Sequence, residues 1–114
     1  MLTSGDVVDL DLGITQGSEA GFRHPAVVVT AQAALDFDPL VVLVVPVTST
    51  IRDESTEVAI EAEPLNGLDH RSSAQCQHIR GVARSRISEV RGNVGPFVLA
   101  QVRDRLADLL DLPA

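Results

Sequence analysis

The sequence predicts a mainly β domain, a small and strongly bent sheet or barrel followed by one C-terminal amphipathic helix. Three observations carry that expectation. Short β-branched apolar runs recur along the chain, the fullest being Val27-Val28-Val29 and Leu40-Val41-Val42-Leu43-Val44-Val45. Glycine, proline and Asn-Gly turn signals separate them. The clearest helical spacing follows Pro96. There are no repeats, low-complexity tracts or linkers that would divide the chain, so residues 1–114 are expected to form a single domain.

Taken in order, Val7-Val8-Asp9-Leu10-Asp11-Leu12 ends in apolar–polar alternation and fits a half-buried strand. Gly13, Gly17 and Gly21 mark the next segment as a loop. Pro25 opens a second strand, and the continuous Val27-Val28-Val29 suits burial on both faces. Ala33-Ala34-Leu35 has room for one helical turn in the connector to Leu40–Val45, which reads as the central strand. Pro46 near its end implies that one edge is incompletely paired there. Thr48–Ser55 is a polar loop, and Val58 and Ile60 share one face of the strand that follows. Asn66-Gly67 is a turn signal. Ala74 to Val82 reads as one strand, with Ala74, Cys76 and His78 on one side and Gln75, Gln77 and Ile79 on the other. Ser85 is positioned to cap a short helix, Arg86 to Arg91, stopped by Gly92. Pro96 suits a first helical turn, and Leu99, Val102, Leu106, Leu109 and Leu110 follow on one face.

Apolar residues make up 45% of the chain, enough for a packed core, and the three aromatics are all Phe, so that core is aliphatic. The apolar runs are too short to span a bilayer, and the first residues lack a secretory pattern. The single cysteine, Cys76, has no internal partner for a disulfide and is expected to pack in the core. A cytoplasmic protein with no membrane contact is the expectation. The net charge of −7 argues against broad electrostatic capture of nucleic acid. The acids are clustered, however, and all nine basic residues are Arg, whose planar fork of donors suits phosphate at a local site.

Two stretches have the chemistry for such a site. Ser18–Val29 places Arg23 in a glycine-bearing loop that runs into a strand, and Val45-Pro46-Val47-Thr48-Ser49-Thr50 ends another strand in hydroxyls. An arginine and hydroxyls meeting at two strand ends would form a phosphate-sized site. No metal-ligand spacing is present among the three His and one Cys, and no Gly-Lys-Ser/Thr follows the glycines, so neither a metal nor another cofactor is implied.

These stretches, in this order, resemble the MazF/PemK-type toxins of bacterial toxin–antitoxin systems. The resemblance lies in Gly5-Asp6-Val7-Val8, in Gly17-Ser18-Glu19 with Gly21-Phe22-Arg23-His24-Pro25-Ala26-Val27-Val28-Val29, and in Val45-Pro46-Val47-Thr48-Ser49. It continues through Asn66-Gly67-Leu68, the Cys76–Ile79 segment with Arg80, and Arg84-Ser85-Arg86-Ile87. It implies an SH3-like barrel of the CcdB/MazF kind, usually a homodimer. It also implies a metal-independent endoribonuclease acting on single-stranded RNA, inhibited by an antitoxin whose tail fills the RNA groove. By that resemblance Thr48 and Arg23 are the catalytic candidates. Two departures stand out: His24 intervenes between Arg23 and Pro25 where relatives read Arg-Pro, and Gln77-His78 replaces an Asp-Gln pair. Gln77 cannot act as a carboxylate base.

Cleavage by the 2′-OH needs a proton acceptor, stabilisation of the phosphorane and a proton donor for the leaving oxygen. Arg23 suits the second task, and Thr48 can donate to a non-bridging oxygen. His24, His78 and Glu19 are candidates for proton transfer; His70 sits in a turn away from the matching stretches. Ser49, Thr50, Arg52, Gln77 and Arg80 are candidate RNA contacts. Two other readings stay open on this scaffold: a gyrase poison of the CcdB type, although the chain has no Trp, and a relative that binds RNA or antitoxin without cutting. The apolar face of the C-terminal helix and the Val-rich strands offer surface for a homodimer.

Overall fold

The computed structural model describes residues 1–12 and 24–113. Its strands are β1 (Asp6–Leu10), β2 (His24–Val28), β3 (Val41–Thr48), β4 (Glu57–Ile60), β5 (Ser72–Gln75), β6 (Arg80–Ala83) and β7 (Ile87–Asn93). A single helical turn, α1 (Gln32–Leu35), precedes β3, and α2 (Gly95–Leu110) follows β7. All seven strands form one antiparallel sheet in the order β4-β5-β3-β2-β1-β7, with β6 also on β3.

The bend in this sheet is made by β3. On one side β3 pairs with β2 through Ala26↔Pro46 to Val28↔Val44. On the other it pairs first with β6, Val41 to Val44, and then with β5, Val47 and Thr48. Val45 and Pro46 fall between these two partners. A proline, lacking an N–H, sits where the second ladder has a gap, which is the incomplete edge that the sequence implies. This change of neighbour curls the sheet toward a barrel. No ladder joins β4 to β7 among the described residues. The turn after β4 bridges them instead: the Asn93 N–H donates to the Leu65 carbonyl at 2.8 Å.

That turn is tightly held. Asn66, buried, accepts from the Glu63 and Leu68 N–H groups and donates to the Glu61 carbonyl. Gly67 has φ +68°, and a Cβ there would meet the Arg91 carbonyl; one on Gly92 would meet the Leu65 carbonyl. Backbone lies on backbone, so both positions need glycine.

Alternation along the strands sends side chains to two cores. Val7, Val27, Val29, Val45, Val47, Val58, Ile60 and Cys76 meet Leu99, Val102 and Leu106 of α2. Val8, Ala26, Val28, Val42, Val44 and Val82 pack with Leu2, Leu10 and Leu35 on the opposite face. Burial on both faces is why Val27-Val28-Val29 needs no alternation. Pro96 stands in the first turn of α2, and the Asn93 side chain accepts from the Gly95 N–H at 2.7 Å.

Three expectations are corrected. Arg86–Arg91 is not a helix: Arg84–Arg86 is a 3-10 turn, and Ile87–Asn93 is β7, paired with β1. Register shifts at Val7/Val8 and Asp9/Leu10 break the two-residue period, so Ile87 and Val90 fall at a spacing that imitates a helix. Ala74–Val82 is not one strand, because Cys76–His78 forms a 3-10 turn between β5 and β6. That turn carries the chain across the β3 bend, from one partner position to the next. Finally, the helix does not leave its apolar face open. Leu99, Val102 and Leu106 are buried, while Phe97 near its start and Leu109 and Leu110 at its end are exposed. Leftover apolar surface lies instead on the outer side of β3, where Val41 is 59% and Leu43 is 46% exposed beside Leu40.

Candidate functional site

A groove of roughly 510 Å³ runs along the end of the sheet where β2 begins and β3 ends. Its chemistry comes from His24 and Pro25 at the start of β2, Thr48 and Ser49 at the end of β3, and Arg80 at the start of β6. The fold brings these together because β2 and β3 are antiparallel neighbours: the first residues of one lie beside the last residues of the other. The bend at Pro46 then turns Thr48 toward β5, where it pairs with Ser73.

Thr48 is half-buried, and its hydroxyl oxygen accepts from the Thr50 N–H at 3.1 Å. That bond fixes the rotamer and leaves the hydroxyl hydrogen to donate outward, the polarity needed toward a phosphate oxygen. Ser49 and Arg80 are exposed at the rim, and His24 is half-buried. Of the sequence candidates, the structure therefore assembles Thr48, Ser49, His24 and Arg80 in one groove. Arg23 and Glu19 lie outside the described residues.

Thr50, Arg52, Gln77 and His78 do not line it. His78 is exposed on the 3-10 turn after β5, and Thr50 is on the loop after β3. Arg52 and Gln77 converge on Glu57, whose side chain is only 2% exposed. Arg52 Nη2 donates to Glu57 Oε2 at 2.6 Å and Gln77 Nε2 donates to the same oxygen at 2.7 Å. Ser73 Oγ donates to Oε1 at 2.9 Å, while Thr56 donates to Gln77 Oε1 at 3.0 Å. Burial works against the Glu57 charge, but the bonds from Gln77, Arg52 and Ser73 outweigh it and hold the carboxyl below its ordinary value. This cluster ties the loop after β3 to β4 and β5.

Sequence reasoning missed other groove residues. His70, read as remote, lines it together with Asp69, Ser72, Gln75 and Arg91. The Asn66-Gly67 signal located the turn that delivers Asp69 and His70, but nothing local showed that the turn would fold back over the sheet end. Arg91 was hidden by the helical spacing of Ile87 and Val90. Cys76 is fully buried, and burial pushes its thiol up to about 11, in keeping with packing rather than nucleophilic chemistry.

Residues 3–110 match the PemK-like, MazF-like toxin family of type II toxin–antitoxin systems. The chain belongs to that family. It is 34% identical over 116 residues to the endoribonuclease MazF9 of Mycobacterium tuberculosis, covering 98% of each chain. Among solved structures it is similar to a MazF of Deinococcus radiodurans, with a TM-score of 0.73 and 31% identity over 96% of both chains. A MazE–MazF complex from the same organism gives 0.75 at 29% identity, covering 96% of this chain and 95% of that one. A mycobacterial endoribonuclease in complex with its cognate antitoxin gives 0.78 at 24% identity, covering 100% of this chain and 99% of that one, a likeness of fold. The mainly β sheet with its C-terminal helix is thus the MazF-like fold.

Proposed function

We propose that this chain is the toxin of a type II toxin–antitoxin pair, an endoribonuclease that cuts single-stranded RNA in the cytoplasm by 2′-OH attack without a metal, and so arrests translation. The observation that carries the reading is the groove itself. A hydroxyl oriented to donate, a histidine and an arginine meet at one strand end, in a chain 34% identical to a named endoribonuclease.

Thr48 donates to a non-bridging oxygen of the scissile phosphate. Arg23, the residue just before groove-lining His24, stabilises the charge that develops there. His24 is the first candidate for proton transfer by its place in the groove, ahead of Glu19 and His78; His70 joins it. Ser49 and Arg80 hold flanking nucleotides, while Thr50, Arg52 and Gln77 support the loop beside them. Incubation with a long mixed-sequence RNA in EDTA tests the activity: discrete cut sites are expected with wild type. Their absence sinks it, and a gel shift beside the assay identifies a protein that binds without cutting. Undiminished cleavage by Arg23→Ala would sink the assigned site.

Two partners follow. An antitoxin segment with acidic and apolar residues fits the Arg- and His-lined groove. A second copy of the chain fits the exposed face of Val41 and Leu43, which adjoins a depression lined by Met1, Leu40, Ile87 and Val90. Leu43→Glu is expected to halve the mass seen by light scattering; an unchanged mass removes that face from the interface.

A further inference from the structure

The turn that closes the sheet also brings two unlike carboxylates to one guanidinium. Arg91, on β7, has a side chain only 10% exposed. Its Nη1 lies 3.7 Å from Oδ1 of Asp9 on β1, a carboxylate 6% exposed. Its Nη2 lies 2.9 Å from Oδ2 of Asp69, which is 76% exposed. Arg91 and Asp69 both line the groove with Thr48 and Ser49.

The two pairs differ in what it costs to break them. Asp9 is flanked on both sides of β1 by paired strands, in register with Pro25 and Glu89, and its carboxylate is buried. Parting a buried carboxylate from a guanidinium costs more than parting an exposed one. Asp69 lies just past the part of the turn fixed by Asn66, whose last bond is to the Leu68 N–H. Its carboxylate is largely exposed, and an exposed pair of this kind contributes little. A backbone phosphodiester presents an edge of two anionic oxygens to the same Nη donors and can take the place of the carboxylate there.

We propose that Arg91 is a phosphate-binding residue of the groove, oriented by Asp9 and occupied by Asp69 until a nucleic-acid phosphate displaces it. Asp69 is then a built-in competitor: its charge both masks the cation and repels the incoming backbone. The inference rests on the nucleic-acid reading of the groove but not on cleavage.

The test is binding of a fluorescent single-stranded oligonucleotide lacking 2′-OH groups, which cannot be cut, measured by anisotropy over a salt series. RNA cleavage is followed in parallel. Asp69→Asn is expected to tighten binding about three- to tenfold, beyond any change in Glu54→Gln, an exposed acid that does not line the groove. Arg91→Gln is expected to weaken binding about tenfold and to lower the slope of log K against log salt by about one, a readout that a purely structural role would not move. If Arg91→Gln fails to fold, the double variant Asp9→Asn/Arg91→Gln removes the buried carboxylate charge together with the guanidinium and is read the same way. Equal effects of Asp69→Asn and Glu54→Gln, or an unchanged salt slope without Arg91, overturn the proposal. Oligonucleotide binding without RNA cleavage would sink the nuclease reading and leave this one standing.

Discussion

Two polar clusters sit a few residues apart on this sheet, and they use nearly the same side chains. Around Glu57, an arginine, a glutamine and two hydroxyls point inward and spend their hydrogen bonds on one another. Around Thr48, an arginine, a histidine and two hydroxyls line an open groove. The difference is what the donors already have as acceptors. A cluster closed around its own buried carboxylate acts as a fastener. An open one, with the Thr48 hydroxyl hydrogen available, can still take up an acceptor from outside. Residue type does not separate the two, since Arg52 and Arg80 look alike in sequence.

Several variants break or sharpen this contrast. The largest effect is expected from Arg23→Ala, about 10²–10³-fold in cleavage rate with an unchanged melting temperature, because it removes a charge that acts only in the transition state. A loss of melting temperature in step with the rate would move Arg23 to the fastening class. Thr48→Ala should lower the rate about 10- to 100-fold, again without unfolding the protein, as expected for one lost donor to the phosphate.

Glu57→Gln should do the reverse. It leaves one acceptor oxygen for three donors and sets an NH2 against the rest, and is expected to cost about 1–3 kcal/mol of stability, read by chemical denaturation, with little change in rate per folded molecule. The pH dependence has a definite sign. Because the folded carboxyl lies below its ordinary value of 4.5, its contribution is present above that value and is lost as pH falls through the lowered one. Wild type should therefore lose stability in acid more steeply than Glu57→Gln; parallel curves would show that the carboxylate is not the fastener. The smallest effect is expected from His78→Ala, within about twofold in rate, since its side chain is exposed and outside the groove. A larger drop would bring the 3-10 turn after β5 into the site.

Much of the fold was legible because its signals are local. The valine runs gave β2 and β3, Asn66-Gly67 gave the turn, and the Leu99, Val102, Leu106 spacing gave α2. What stayed hidden depends on pairing between distant segments. Nothing near Ile87 shows that β7 must serve the free edge of β1, and two register shifts disguise its period. The interruption at Cys76–His78 exists because β3 changes neighbours 30 residues earlier in the chain, roughly a barrel's turn away. For the site, Thr48, Ser49, His24 and Arg80 were identifiable from residue chemistry and from resemblance. His70 and Arg91 reach the groove only through the closing turn and β7, and the engagement of Arg52 and Gln77 appears only once Glu57 is seen to be buried.

The pairing of β1 with β7 also sets an order of assembly. The first strand to be synthesised waits for almost the last, and the groove draws its walls from β2, β3, the turn after β4 and β7. During translation β1 therefore has an open edge, and neither Arg91 nor the clamp on Gly67 exists until β7 has left the ribosome. Contacts between such distant segments form late and slowly. A nascent chain halted before β7 carries Thr48 but no finished groove.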